Sequence, residues 1–173
     1  MKQLTLWFER RFDFSFPVEL YPNLCARLRG TPSRLEEVLG SCSERVLTRK
    51  PQAKWSAQEH AGHLLDLEPL WLNRVEDYVI SSDQLTPTDL NNRKTDQANH
   101  NARVLEHILA EFRSARGVLL KRLEQLNPSL FSQAIPHPRL KTPMRLVDHL
   151  YFVAEHDDHH LAQIWELVHN TGA

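Results

Sequence analysis

The chain has 173 residues, 41% of them hydrophobic and 25% charged, with a formal net charge of −1. That is the size and balance of one soluble globular domain, residues 1–173. The lack of excess Lys and Arg argues against nucleic acid as a partner, and no uncharged apolar run is long enough to predict a membrane span. The N-terminal stretch Met1–Arg10 meets charge too early for a secretory leader. Two cysteines, Cys25 and Cys42, make no disulfide framework, so a reducing cytoplasm is the simplest setting.

With five glycines in the whole chain, turn signals are too few for a strand-rich fold, and the apolar spacing is mostly helical. Residues 1–16 form an aromatic lead-in (Trp7, Phe8, Phe12, Phe14, Phe16). Helical character runs from Val18 to about Arg29 and is interrupted at Gly30-Thr31-Pro32. Thr31 as cap and Pro32 as first residue predict a new helix over 32–46. Thr48 to Trp55 reads as a loop. Ser56-Ala57-Gln58-Glu59 is a capping box that opens a long helix over 57–81. The polar stretch from Ser81 to Asn99, with Pro87, reads as a long loop, a length often tied to function. A third long helix is expected over 100–126, with Ile108, Phe112, Leu119 and Leu123 facing the core. Pro128, Pro136 and Pro138 make 127–141 irregular. Thr142-Pro143 repeats the cap-plus-proline start for a last helix over 143–169, with Gly172 just beyond. The sum is an all-α fold, a four-helix bundle with a broken first helix, up-and-down or with one crossover.

Ten histidines are the unusual feature, five of them between His149 and His169. His156 and His160 are four apart and so lie about 40° apart on one helix face, as two imidazole ligands to one ion require. On the helical wheel Leu146, Val147, Leu150, Ala154, Leu161, Ile164, Trp165 and Val168 make an apolar stripe. His149, His156 and His160 border it, and His159 points further outward. A third ligand must come from another helix, where His60 and His63 both qualify. His60 sits nearer the stripe of Leu64, Trp71, Val75 and Tyr78, and His63 lies at its edge, so spacing does not choose between them. His100, His107, His137 and His169 read as surface or hydrogen-bonded residues. Asp157 replaces the Glu of the zinc-protease H-E-x-x-H motif and falls within the apolar stripe, so it needs a partner.

Two segments carry a family resemblance. Trp55-Ser56-Ala57-Gln58-Glu59-His60-Ala61-Gly62-His63-Leu64-Leu65-Asp66 resembles the W-[ST]-x-x-E-x-x-x-H-L-x-D segment of the DinB-like superfamily, also described as YfiT-like metal-dependent hydrolases. His156-Asp157-Asp158-His159-His160-Leu161-Ala162-Gln163-Ile164 resembles its H-x-x-H-H-x-x-Q-[IL] segment. The similarity spans about 18–170 and leaves the lead-in outside. It implies a four-helix bundle holding one divalent metal, nickel or zinc, by His63, His156 and His160, often in a homodimer. It also implies either a hydrolase or an S-transferase that uses a low-molecular-weight thiol.

Three imidazoles leave coordination positions open, which suits chemistry on a small-molecule substrate with or without a thiol cosubstrate. Glu59, Asp66 and Glu68 flank His63 as candidate bases or orienting groups. Otherwise Glu59 is accounted for by the capping box, and the other two as solvated charges. The 82–99 loop, with Asn91, Asn92, Arg93 and Lys94, is placed either to cover the metal or to serve as a plain connection. The competing expectation is a non-catalytic metal-binding bundle for stress response or scaffolding.

Overall fold

A computed structural model of the chain describes residues 5–51 and 54–169. Its helices are α1 (Tyr21–Leu39), α2 (Glu44–Thr48), α3 (Ala57–Val79), α4 (Arg93–Gln97), α5 (Leu105–Glu124) and α6 (Leu146–His169). The four long ones form the expected bundle. Helix α1 packs on α5 and α6, and α3 packs on the same two. Helices α1 and α3 therefore occupy one diagonal and α5 and α6 the other, so both the α1–α3 and α5–α6 connections cross the bundle end. Gly172 and residues 1–4 lie outside the described residues.

The break expected at Gly30-Thr31-Pro32 does not occur, because α1 runs straight through Pro32. A proline inside a helix leaves the carbonyl four residues back without its donor. Here that carbonyl, on Leu28, accepts from Arg116 Nη1 at 3.1 Å. The Thr31 hydroxyl donates to Asp157 Oδ2 at 2.8 Å. Pro32 and Thr31 thus mark a docking point rather than a helix end.

Arg116 is the hub of a buried layer. It reaches Glu68 from Nη2 at 2.6 Å and Asp157 from Nη1 at 2.6 Å, with all three side chains no more than 2% exposed. Burial opposes the charge on Arg116, but the two carboxylates overcome it and hold the guanidinium above its usual range. Two carboxylates share one cation, and burial, with the Asp157 charge adding, pushes the Glu68 carboxyl up to about 7 against the pull of Arg116. The layer divides the apolar core. On one side pack Leu24, Leu28, Trp71, Val75, Leu119, Leu123 and Leu150; on the other, Leu35, Leu39, Ala61, Leu64, Ile108, Phe112 and Ile164. Each buried Leu, Ile, Val or Phe among them contributes roughly 1.5–3 kcal/mol.

Further differences from expectation follow: the helix expected over 32–46 ends at Leu39 and resumes as α2 at Glu44. The α5 helix begins at Leu105, because residues 100–102 form a separate 3-10 turn. The Gln58 amide clasps that turn by donating to the carbonyls of His100 (2.7 Å) and Arg103 (2.8 Å). Pro143–Arg145 is a short strand, β2, paired antiparallel with β1 (Ala134–Pro136), and not the start of the last helix. The α6 start is set instead by Asp148, whose carboxylate accepts from Arg145 N–H at 2.8 Å, half of a capping box. Trp165, placed by spacing in the apolar stripe, is 52% exposed and stacks on His169.

The aromatic lead-in packs on its own α6. Phe14 and Phe16 contact Tyr151, Phe12 contacts Phe152, and Arg145 Nη2 donates to the carbonyls of Phe14 and Phe16 at 2.9 Å each. Arg10 pairs with Glu155.

Arg116→Met leaves two buried carboxylates without their cation, and Glu68 and the Leu28 carbonyl without a donor, and is expected to cost about 3–5 kcal/mol in urea unfolding. Glu68→Gln removes the surplus charge while keeping an acceptor, and is expected to cost less than about 1 kcal/mol. Equal losses from the two would contradict this account of the layer.

Candidate metal centre

The centre is built where α3 and α6 face each other. The predicted capping box is present: Ser56 Oγ accepts from Glu59 N–H at 3.1 Å, and the Glu59 carboxylate accepts from Ser56 N–H at 2.8 Å. That start sets the phase of α3 and places His63 inward. On α6, the Asp157 tie to Arg116 sets the phase that turns His156 and His160 towards α3.

His63, His156 and His160 are all buried. Each offers a ring nitrogen within 4.8 Å of those of the other two. The Nε2 atoms of His156 and His160 are 3.2 Å apart. Two imidazoles on one tetrahedral ion, each at the usual bond length, hold their nitrogens about 3.3 Å apart. The spacing and the all-imidazole donor set fit a divalent ion.

Hydrogen bonds on the far edges of two rings direct their lone pairs. The Thr95 hydroxyl donates to Asp66 Oδ2 at 2.9 Å and lies 3.0 Å from His63 Nδ1. Its one proton is committed to Asp66, so it accepts from His63 Nδ1–H and leaves His63 Nε2 as a lone pair facing the other imidazoles. His160 Nδ1 lies 2.8 Å from His60 Nδ1. With the proton on the His160 side of that contact, His160 Nε2 is likewise free. The two residues that spacing left as rivals therefore take different places: His63 joins the three, and His60, part-buried, orients His160. The buried His156 Nδ1 has no such support.

Asp66 and Glu68 are not the solvated charges expected. Glu68 belongs to the Arg116 layer. The Asp66 carboxylate, 8% exposed, accepts from Thr95 and also contacts His100 Nε2 at 2.8 Å. The His100 ring occupies the space above Gly62, where a Cβ would come within 2.2 Å of it. This explains a glycine in mid-helix: without it His100 could not reach Asp66, one turn further on. His137 is also buried, whereas His107 is exposed and His169 bonds the Trp165 carbonyl.

Burial foremost, then neighbouring imidazole charge, holds His63 at about 3, and keeps His156 and His160 well below their usual range. All three are neutral at physiological pH, the form that coordinates metal. Cys25 and Cys42 lie elsewhere, and burial raises both thiols above their usual values.

The rings open on a cavity of about 220 Å³. Trp55 stands 4.7 Å from His63, and Trp7 of the lead-in stands 4.9 Å from His156. Thr88, Asp89, Leu90 and Asn92 of the 82–99 segment line the mouth. That segment is not plain connection. Asn92 and Asn99 take left-handed backbone angles (φ 53° and 50°) that asparagine tolerates, and between them α4 delivers Thr95 to His63. Thr95, Trp7 and the cavity residues Arg74, His137 and Arg139 were not singled out as site residues by spacing. Only Gly62, a glycine in mid-helix, gave a signal of a close approach at this place.

A sequence model of the DinB superfamily matches residues 27–164. Among curated proteins none matches. A solved structure of YfiT from Bacillus subtilis, described as "a probable metal-dependent hydrolase with an unusual four-helix bundle topology", is similar in fold. Its TM-score is 0.80 over 92% of this chain and 91% of that one, at 20% identity.

Unfolded imidazoles take up protons near 6.5 and folded His63 only near 3. Stability from this group is therefore complete above 6.5 and lost as pH falls, at up to about 1.4 kcal/mol per pH unit. In histidine-selective 15N NMR of metal-free protein, His63 is expected as the Nδ1–H tautomer, with no titration between about pH 8 and 5. A His63 titration in that window would contradict the geometry.

Proposed function

The chain belongs to the DinB superfamily, and on that premise we propose that it is a metal-dependent enzyme acting on a small molecule, with His63, His156 and His160 holding one nickel or zinc ion. The observation that carries this reading is the convergence of three buried, neutral imidazoles on one point beside a cavity. The fold likeness to a protein described as a probable metal-dependent hydrolase supports it.

A divalent ion held by His63, His156 and His160 would supply Lewis acidity, the chemistry that makes water or a thiol acidic near neutral pH. The chain's own residues do the rest. Thr95, backed by Asp66, and His60 hold two rings in the coordinating tautomer. Trp7, Trp55 and Trp71 exclude bulk water from the side on which substrate sits, which strengthens every electrostatic contact inside. Both hydrolysis of an ester-like bond and thiol transfer to an electrophile fit such a site. We assign the protein to this pair of reactions rather than to a passive metal store, because a three-imidazole site with an adjoining cavity leaves room for substrate. The reading includes a cytoplasmic homodimer.

Protein purified without a polyhistidine tag is expected to carry close to one equivalent of Ni, Zn, Mn or Fe by elemental analysis. His63→Ala and His156→Ala should each remove most of it, and His107→Ala should not. Thr95→Val should weaken zinc binding about 10- to 100-fold in competition with a chromophoric chelator. Metal-free protein after reconstitution would sink the site. A loaded protein inert towards esters, and towards electrophiles offered with bacillithiol, mycothiol or glutathione, would sink the enzyme.

A further inference from the structure

At the other end of the same cavity, donors gather without an acceptor. His137 Nδ1 accepts from two backbone N–H groups, of Arg139 (3.2 Å) and Leu140 (3.1 Å). A neutral imidazole that accepts at Nδ1 carries its proton on Nε2. His137 Nε2 lies 3.3 Å from Arg74 Nη1, so a donor faces a donor there. Burial, with the charges of Arg74 and Arg139, holds His137 at about 3, so the ring is neutral.

Three further donors in this corner are buried and unpartnered: Arg74 Nη2, Arg139 Nη2 and Trp71 Nε1. Arg74 is 1% exposed, and its one bond to an oxygen is from Nε to the Thr86 carbonyl (2.9 Å). Among the described residues no carboxylate pairs with either arginine. Asp77 accepts from Thr86 N–H, and Asp89 accepts from the backbone of Asn91 and Arg93. His149, whose ring nitrogens are also unpartnered, lies behind Trp71 and does not line the cavity; the unpartnered groups that line this end are all donors among the described residues. Buried polar groups without partners are rare, and a set of one sign facing a cavity marks a missing ligand of the other.

We propose that Arg74, Arg139, His137 and Trp71 form an anion subsite that takes the carboxylate of a compact organic acid. Guanidinium groups match a carboxylate in geometry as well as charge. The apolar body of the acid has its place as well. Phe152 lies beside His137 and beneath Arg139, and Trp71 stands between Arg74 and His156, 5.5 Å from each. An acid anchored here therefore extends over the Trp71 ring towards the three histidines. That it is the enzyme's substrate rests on the function proposed above; that the corner binds a carboxylate does not.

The probe is 3-phenylpropionate against the isosteric 3-phenylpropionamide, by calorimetry and ligand-observed NMR on EDTA-treated full-length protein. The acid is expected to bind at least about tenfold tighter than the amide, the scale of one charge-assisted hydrogen bond. Arg139→Gln, part-exposed and so tolerated by the fold, should remove most of that preference. Arg74→Gln should do the same if circular dichroism shows it folded. Equal binding of acid and amide, no binding of the acid, or a preference that survives Arg139→Gln would overturn the subsite. A preference seen only in metal-loaded protein would also overturn it, because the carboxylate would then be sitting on the ion. If the protein binds no metal yet keeps the Arg139-dependent preference in metal-free form, the subsite stands and the enzymatic reading fails.

Discussion

One guanidinium holds this bundle in register. Arg116 touches α1 at the Leu28 carbonyl, α3 at Glu68 and α6 at Asp157, and it does so at mid-height, between two apolar blocks that by themselves tolerate rotation and sliding. Apolar packing is non-directional; a buried ion triad is not, because a misplaced carboxylate there would be left without a donor. Since Asp157 is next to His156, the direction in which Asp157 must point dictates where the imidazoles go. The three-histidine group inherits its precision from a neighbour that does not touch it.

Much of this was legible in the residues. The capping box at Ser56, the four-residue spacing of His156 and His160, and the core positions Ile108, Phe112, Leu119 and Leu123 are local patterns, and local patterns survive folding. Choosing His63 over His60 needed the family resemblance. The helical wheel treats a buried face as a single stripe, whereas α3 is covered on two sides, by the bundle and by the 93–102 segment. Pro32 misled because its usual consequence, a helix end, assumes that no distant donor reaches the freed carbonyl. The β1–β2 hairpin and Thr95 were invisible for a related reason. Three-residue strands and a five-residue helix carry no period, and their role depends on contacts far away in the chain.

The two ends of the cavity differ in kind. At one end three neutral imidazoles converge, two of them with hydrogen bonds that turn their protons outward. At the other the side chains are proton donors with no free acceptor facing them among the described residues. Trp71 separates the two, and its ring keeps the unlike environments a side chain apart. A ligand that satisfies both ends must itself be polarised, with an electron-rich terminus and a reactive centre at a set remove.

The walls and the floor of that cavity come from different parts of the chain. The histidines and their supports lie within residues 27–164, the portion that the superfamily pattern covers, whereas Trp7 and Phe8, which close one side, precede it. The lead-in is held in place by contacts to its own α6. Trp7 reaches His156 from this segment, whereas Thr95 and His60, which hydrogen-bond the other two rings, come from the bundle's own stretch. Access to the imidazoles is thus shaped partly by residues outside the stretch that holds them, while the donor corner of Arg74, His137 and Arg139 lies within it.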